Sequence, residues 1–168
     1  MVIQQKYMHR HEVVLVIGGN QGDRPGLIRE ARDLLSKTGE IVKASSIYET
    51  QPWGHASEGD YLNQALVVET EKSPQDFILF SQKIENDLGR IRDQSWGNRT
   101  MDIDLIYYDD GIYQEKNLVI PHPLIAERKF VLVPLVEILP DYLHPVFRLS
   151  NRELLQRCRD ESHVEIFG

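Results

Sequence analysis

What most constrains this chain is the order in which its apolar periodicity alternates between strand and helix spacing. Val13-Val14-Leu15-Val16-Ile17 is an unbroken apolar run closed by Gly18-Gly19, the pattern of a buried strand. Asp23 is placed to cap a helix with Pro25 in its first turn. Leu27, Ile28, Ala31, Leu34 and Leu35 give that helix one apolar face, and Gly39 stops it. A second strand is expected over 41–49, a long Gly/Pro-rich loop over 50–60 and a third strand over 61–70. Ser73 with Asp76 opens a second helix, expected over 74–91, and Met101 begins a fourth strand reaching Tyr108. Asp109-Asp110-Gly111 then reads as the turn of a hairpin. Strand, helix, strand, strand, helix, strand is the split β-α-β order. The expected fold class is therefore an α+β, ferredoxin-like βαββαβ sandwich, with an extra C-terminal hairpin and short helices, one of them capped by Ser150 and Glu153.

The 168 residues read as a single domain: a tail over 1–11, the core over 12–109 and the C-terminal additions over 110–168. Lys and Arg total 19 against 26 Asp and Glu, a formal net charge of −7 that opposes whole-surface attraction to nucleic acid or an anionic membrane. No apolar run approaches the roughly 20 residues of a membrane span, and no cleavage pattern of small residues follows the run at 13–17. Cys158 is the single cysteine, so a reducing compartment is the natural setting. A cytoplasmic monomer acting on small molecules, with no nucleic-acid or membrane partner, is expected.

Asp102-Ile103-Asp104 is the most informative tripeptide. On a strand both carboxylates project to one side, while Met101, Ile103 and Leu105 take the other. Like charges this close need a counter-ion near a sheet interior, and such a pair suits two Mg²⁺ about 3.5–4 Å apart. A bare D-x-D pattern is more often a solvated strand end. The context shifts that balance, because Arg90, Arg92 and Arg99 stand just upstream, and guanidinium forks match phosphate oxygens. Trp96, in a polar segment between them, is placed to close over a ligand. Gln82 and Glu85 share a helix face with Gly89 and Arg92.

Tyr61 and Asn63 share a strand face, an aromatic plate beside an amide, which suits a flat hydrogen-bonding heterocycle. Phe130 is placed to cover the other face of such a ring. His122, held between Pro121 and Pro123, and Arg128 are candidate phosphate contacts. His9, His11 and Glu12 look like a metal cluster, but a mobile tail is the better reading of that stretch. Gly18-Gly19-Asn20-Gln21-Gly22 lacks the ending of a P-loop and the order of a dinucleotide fold. No nucleophile elbow or zinc motif is present, so covalent catalysis has no support.

With these residues assembled, the chain resembles the 6-hydroxymethyl-7,8-dihydropterin pyrophosphokinases of folate biosynthesis over about residues 12–160. The resemblance rests on Ile17-Gly18-Gly19-Asn20, on Tyr48-Glu49-Thr50-Gln51-Pro52-Trp53-Gly54 and on Tyr61-Leu62-Asn63. It continues through Ile84-Glu85, Gly89-Arg90-Ile91-Arg92, the run from Trp96 to Leu105, and Pro121-His122-Pro123 with Arg128 and Phe130. It implies transfer of the β,γ-pyrophosphoryl group of ATP to the pterin hydroxymethyl oxygen, with release of AMP. Asp102 and Asp104 would hold two Mg²⁺. Arg90, Arg92, Arg99, His122 and Arg128 would hold the triphosphate, with Gln82, Glu85 and Trp96 at the nucleotide. The pterin would lie between Tyr61 and Phe130, read by Asn63 and by Thr50, Gln51 and Trp53. Ser95, Asn98 and Asn117 depart from the family pattern, where basic residues or proline are common, and fewer cations should weaken ATP affinity or slow loop closure. The rival reading is a non-catalytic ferredoxin-like module that binds a nucleotide or small molecule.

Overall fold

The computed structural model describes residues 9–52, 59–90 and 98–168. Strand β1 (His11–Gly19) is an interior strand of a six-stranded sheet, one place in from its edge. It is followed by helix α1 (Arg24–Leu35), strands β2 (Gly39–Ala44), β3 (Tyr48–Thr50) and β4 (Tyr61–Thr70), helix α2 (Pro74–Asp87) and strand β5 (Asp102–Tyr108). Beyond this core come the short strands β6 (Tyr113–Glu115) and β7 (Leu118–Ile120), helices α3 (Lys129–Ile138) and α4 (Asn151–Arg157), and strand β8 (Val164–Ile166). The main sheet has the order β5-β1-β4-β3-β8, with β2 also paired to β4. The order of β5, β1, β4 and the β2/β3 pair, with α1 and α2 on one face, is the expected ferredoxin-like α+β sandwich.

The caps form as their residues dictate. The Asp23 side chain accepts from Gly26 N, Ser73 accepts from Asp76 N, and Ser150 with Glu153 makes a reciprocal capping box. The apolar run of β1 is unbroken because both of its faces are covered. Val13, Leu15 and Ile17 pack under α1 and α2 with Ile28, Leu35, Phe77 and Ile84. Val14 and Val16 pack on the opposite face against Val131, Leu132 and Leu135 of α3 and Leu154 of α4. The C-terminal helices thus build a third layer. A bulge in the β1–β5 register turns Ile106 and Tyr107 to the α3 face together, while Leu105 and Tyr108 stay on the other.

Several expected boundaries shift. The strand expected over 41–49 is two strands, because Ser45 turns its hydroxyl onto the Ala65 N–H and Ser46 is drawn out of line by Glu137 on α3. The second helix stops at Asp87, not residue 91, since Gly89 takes φ 87°, a left-handed conformation that ends the helix. Residues 109–111 do turn the chain, but β6 pairs with β7 rather than with β5. His11 belongs to β1 and not to a tail. Strand β8, which extends the sheet beside β3, has no counterpart in the expected order.

Candidate active site

One cross-strand row organises the site. Gly18 on β1 stands opposite Asp102 on β5 and opposite Asn63 on β4, and Asn63 in turn faces Tyr48 on β3. Adjacent strands are about 4.8 Å apart, so the carboxylate and the amide are held roughly 10 Å apart across a residue with no side chain. That floor is obligatory: a Cβ on Gly18 would lie 2.1 Å from the Leu62 carbonyl and 2.4 Å from Asn63 Oδ1. Asp102 and Asp104 share this face, which is the α3 face, while Ile103 and Leu105 enter the core beneath α1 and α2.

Around the carboxylates the charges are paired. Asp102 accepts from Arg90 Nη1 at 2.9 Å and from Arg99 Nη1 at 2.7 Å. Arg128 Nη1 lies 3.8 Å from Asp104 Oδ2, and its guanidinium sits 5.6 Å over the Phe130 ring. Burial, followed by the Asp102 charge, holds the Asp104 carboxyl well above the usual carboxylate range, with Arg128 pulling the other way. Glu85 comes from α2, across the sheet edge. Its Oε1 accepts from the Ile103 N–H at 2.8 Å and its Oε2 from Arg90 at 2.5 Å. Burial raises the Glu85 carboxyl, countered chiefly by that backbone N–H. So the helical glutamate is a buried tie between α2, the edge of β5 and Arg90, a role its spacing alone did not reveal.

His122 is neutral. Burial, then the Arg128 charge, pushes its imidazole down to about 4. Its Nδ1 accepts from Leu124 N at 3.1 Å, which leaves the ring proton on Nε2. At the other end of the row the buried Asn63 amide donates to Thr50 Oγ1 at 2.9 Å. Tyr61, opposite Thr50 on β4, is half-buried, as is Phe130 at the start of α3. Gln51 is exposed and its Oε1 accepts from His163 N at 3.3 Å, so its side chain is tied to the β8 approach rather than to the row. Gln82 is half-buried on α2. Trp53, Arg92 and Trp96 lie outside the described residues.

The sequence reading missed two supports. Asn20 clamps the segment that carries Arg99: its Nδ2 donates to Asn98 Oδ1, its Oδ1 accepts from Arg99 N, and its own N–H reaches the Arg99 carbonyl at 3.0 Å. Gly19 makes the approach possible, since a Cβ there would meet the Thr100 carbonyl at 2.4 Å. Gly19 and Asn20 are therefore scaffolding for Arg99, and Asn98, a departure from the family pattern, is one of the clamped partners. Glu137 is the second support, accepting from Ser46 N and Oγ and from Tyr48 Oη at 2.8 Å. The signal for both lay only in tertiary neighbours.

Oxygen ligands on one face, with like charge that raises Asp104, fit hard divalent cations such as Mg²⁺. Residues 14–140 match the family of 7,8-dihydro-6-hydroxymethylpterin-pyrophosphokinases. The chain is 38% identical to the 2-amino-4-hydroxy-6-hydroxymethyldihydropteridine pyrophosphokinase of Aquifex aeolicus, over 84% of this chain and 88% of that protein. It is 40% identical to the enzyme of the same name from Bacillus subtilis, over 74% and 75% of the two chains. It also shares its fold with the Plasmodium falciparum HPPK-DHPS, solved with pterin and p-hydroxybenzoate, at a TM-score of 0.70 and 18% identity, covering 89% of this chain and 42% of that longer one. The chain belongs to the 7,8-dihydro-6-hydroxymethylpterin-pyrophosphokinase family.

Proposed function

We infer that the protein transfers the β,γ-pyrophosphoryl group of ATP to the hydroxymethyl oxygen of 6-hydroxymethyl-7,8-dihydropterin, releasing AMP, a step of folate biosynthesis. The observation that carries this reading is the Asp102–Gly18–Asn63 row, which sets a carboxylate and arginine cluster on the same sheet face as a buried amide, with a residue that has no side chain between them. A regulatory binding module has no need of that combination.

Asp102 and Asp104 would hold two Mg²⁺, which when bound neutralise phosphate charge and polarise the attacked phosphorus. The chain's own residues do the aligning. Arg90, Arg99 and Arg128, now resting on Asp102 and Asp104, are the forks that exchange carboxylate for phosphate oxygens when nucleotide enters. Glu85 keeps Arg90 from leaving with the ligand. His122, with its proton on Nε2, is a neutral donor toward a phosphate oxygen. Arg92, Gln82 and Trp96 complete the nucleotide side. Tyr61 and Phe130 sandwich the pterin, and Asn63, Thr50, Gln51 and Trp53 read its edge. Pyrophosphoryl transfer depends on alignment and charge neutralisation, and no side chain is assigned as general base.

The test is an incubation with ATP, Mg²⁺ and the hydroxymethyl-dihydropterin, with the nucleotide product identified. AMP is expected, and ADP or no turnover would refute the reading. Asp102→Ala and Asp104→Ala should each abolish AMP release while the circular dichroism spectrum stays that of the wild type.

A further inference from the structure

At the end of the sheet remote from Asp102, the start of β1 meets the end of β5. Val13 stands opposite Tyr108, which brings His11 beside Asp109. The alternation His9-Arg10-His11 sends both imidazoles to one side, their rings 4.7 Å apart. Arg10 goes to the other side, 3.7 Å from Glu40 and 3.6 Å from Glu69. His11 Nδ1 lies 2.7 Å from Asp109 Oδ2, and one ligand atom each from His9, His11 and Asp109 can be chosen within 4.8 Å of one another.

Two of these three groups are already held. Asp109 has φ 49°, its Oδ1 accepts from Glu12 N at 2.8 Å, its own N–H reaches the Glu12 carbonyl, and its carbonyl accepts from Tyr142 Oη. The His11 ring rests 5.0 Å from the Tyr108 ring. Only the exposed His9 would have to be ordered, so little conformational freedom is lost on binding. Asp109 is seven residues from Asp102 along the strand direction, about 23 Å at roughly 3.3 Å per residue, so the two carboxylate sites are distinct.

We propose that His9, His11 and Asp109 form a second metal site, for a borderline divalent ion of the zinc and nickel class. Two imidazoles and one carboxylate are the donor set that favours such ions over Mg²⁺, and three protein ligands leave a fourth zinc position to water. The bound ion fastens the segment ahead of β1 to the turn after β5.

Metal-free protein titrated with zinc chloride in excess Mg²⁺, by calorimetry, tests this. One zinc per chain is expected, with histidine ring resonances of His9 and His11 shifting in step. His9→Ala and Asp109→Asn should each weaken binding at least tenfold, the latter keeping an acceptor for Glu12 N so that the turn stays intact. Zinc binding that survives both substitutions, or that vanishes in Asp102→Asn and Asp104→Asn instead, would overturn the proposal. So would the absence of binding in the wild type.

Discussion

Single side chains decide how charge is tolerated here. Glu85 is 4% exposed and satisfies two donors, Ile103 N and Arg90. Glu85→Ala leaves that backbone N–H without its partner, at a cost of about 1–3 kcal/mol. It also leaves Arg90 held by Asp102 without its second carboxylate. Glu85→Gln keeps an acceptor for Ile103 and loses only the charge. Chemical denaturation should show the alanine variant clearly less stable than the glutamine variant, while AMP-release assays show both slowed. His122 gives a pH signature. Its folded value of about 4 lies below the ordinary 6.5, so on acidification the unfolded chain takes up the proton first. Its contribution to stability is intact above about pH 6.5 and is lost as pH falls toward 4. Urea midpoints measured at pH 7 and pH 5 should fall further in the wild type than in His122→Asn.

At the scale of elements, β1 and β3 are placed by contacts their own residues do not announce. Gly18→Ala puts a methyl group 2.1 Å from the Leu62 carbonyl, so β1 and β4 must part at the Asp102–Asn63 row. A loss of roughly 1–3 kcal/mol and a large drop in turnover are expected, read by thermal unfolding and product assay. Strand β3 is pinned by Glu137. Hydrogen bonds from Ser46 and Tyr48 hold that carboxyl below its usual range, and burial followed by the same contact pushes the Tyr48 hydroxyl up to about 12. Glu137→Ala releases β3 and with it Thr50, which Asn63 meets at 2.9 Å. The Michaelis constant for the pterin should rise several-fold with little change in that for ATP. Equal effects on both substrates would show that β3 does not position the pterin side.

For the whole molecule, β8 closes the sheet over β3, and its approach holds Gln51 through His163. Deleting residues 163–168 should lower the melting temperature by a few degrees and weaken pterin binding more than ATP binding, by calorimetry with each ligand. The net charge of −7 and the arginine cluster coexist for the same reason of scale. Net charge is a sum over the surface, whereas ligand affinity depends on the local field of Arg90, Arg99 and Arg128. Much of this was readable from the chain alone. The apolar run at 13–17, the caps at Asp23, Ser73 and Ser150, and the alternation at 101–105 each depend on neighbours within a turn or a strand step. They determine element type, the split β-α-β order and the face on which Asp102 and Asp104 emerge. Periodicity says which side of an element is apolar and is silent on what lies opposite. Hence the third layer, the β8 pairing, the reach of Glu85 to Ile103, the clamp of Asn20 on residues 98–99 and the meeting of His11 with Asp109 were decided only in the folded chain. The last three join residues 18, 78 and 98 positions apart, the β8 pairing joins residues still farther apart, and no local spacing encodes a contact across such separations.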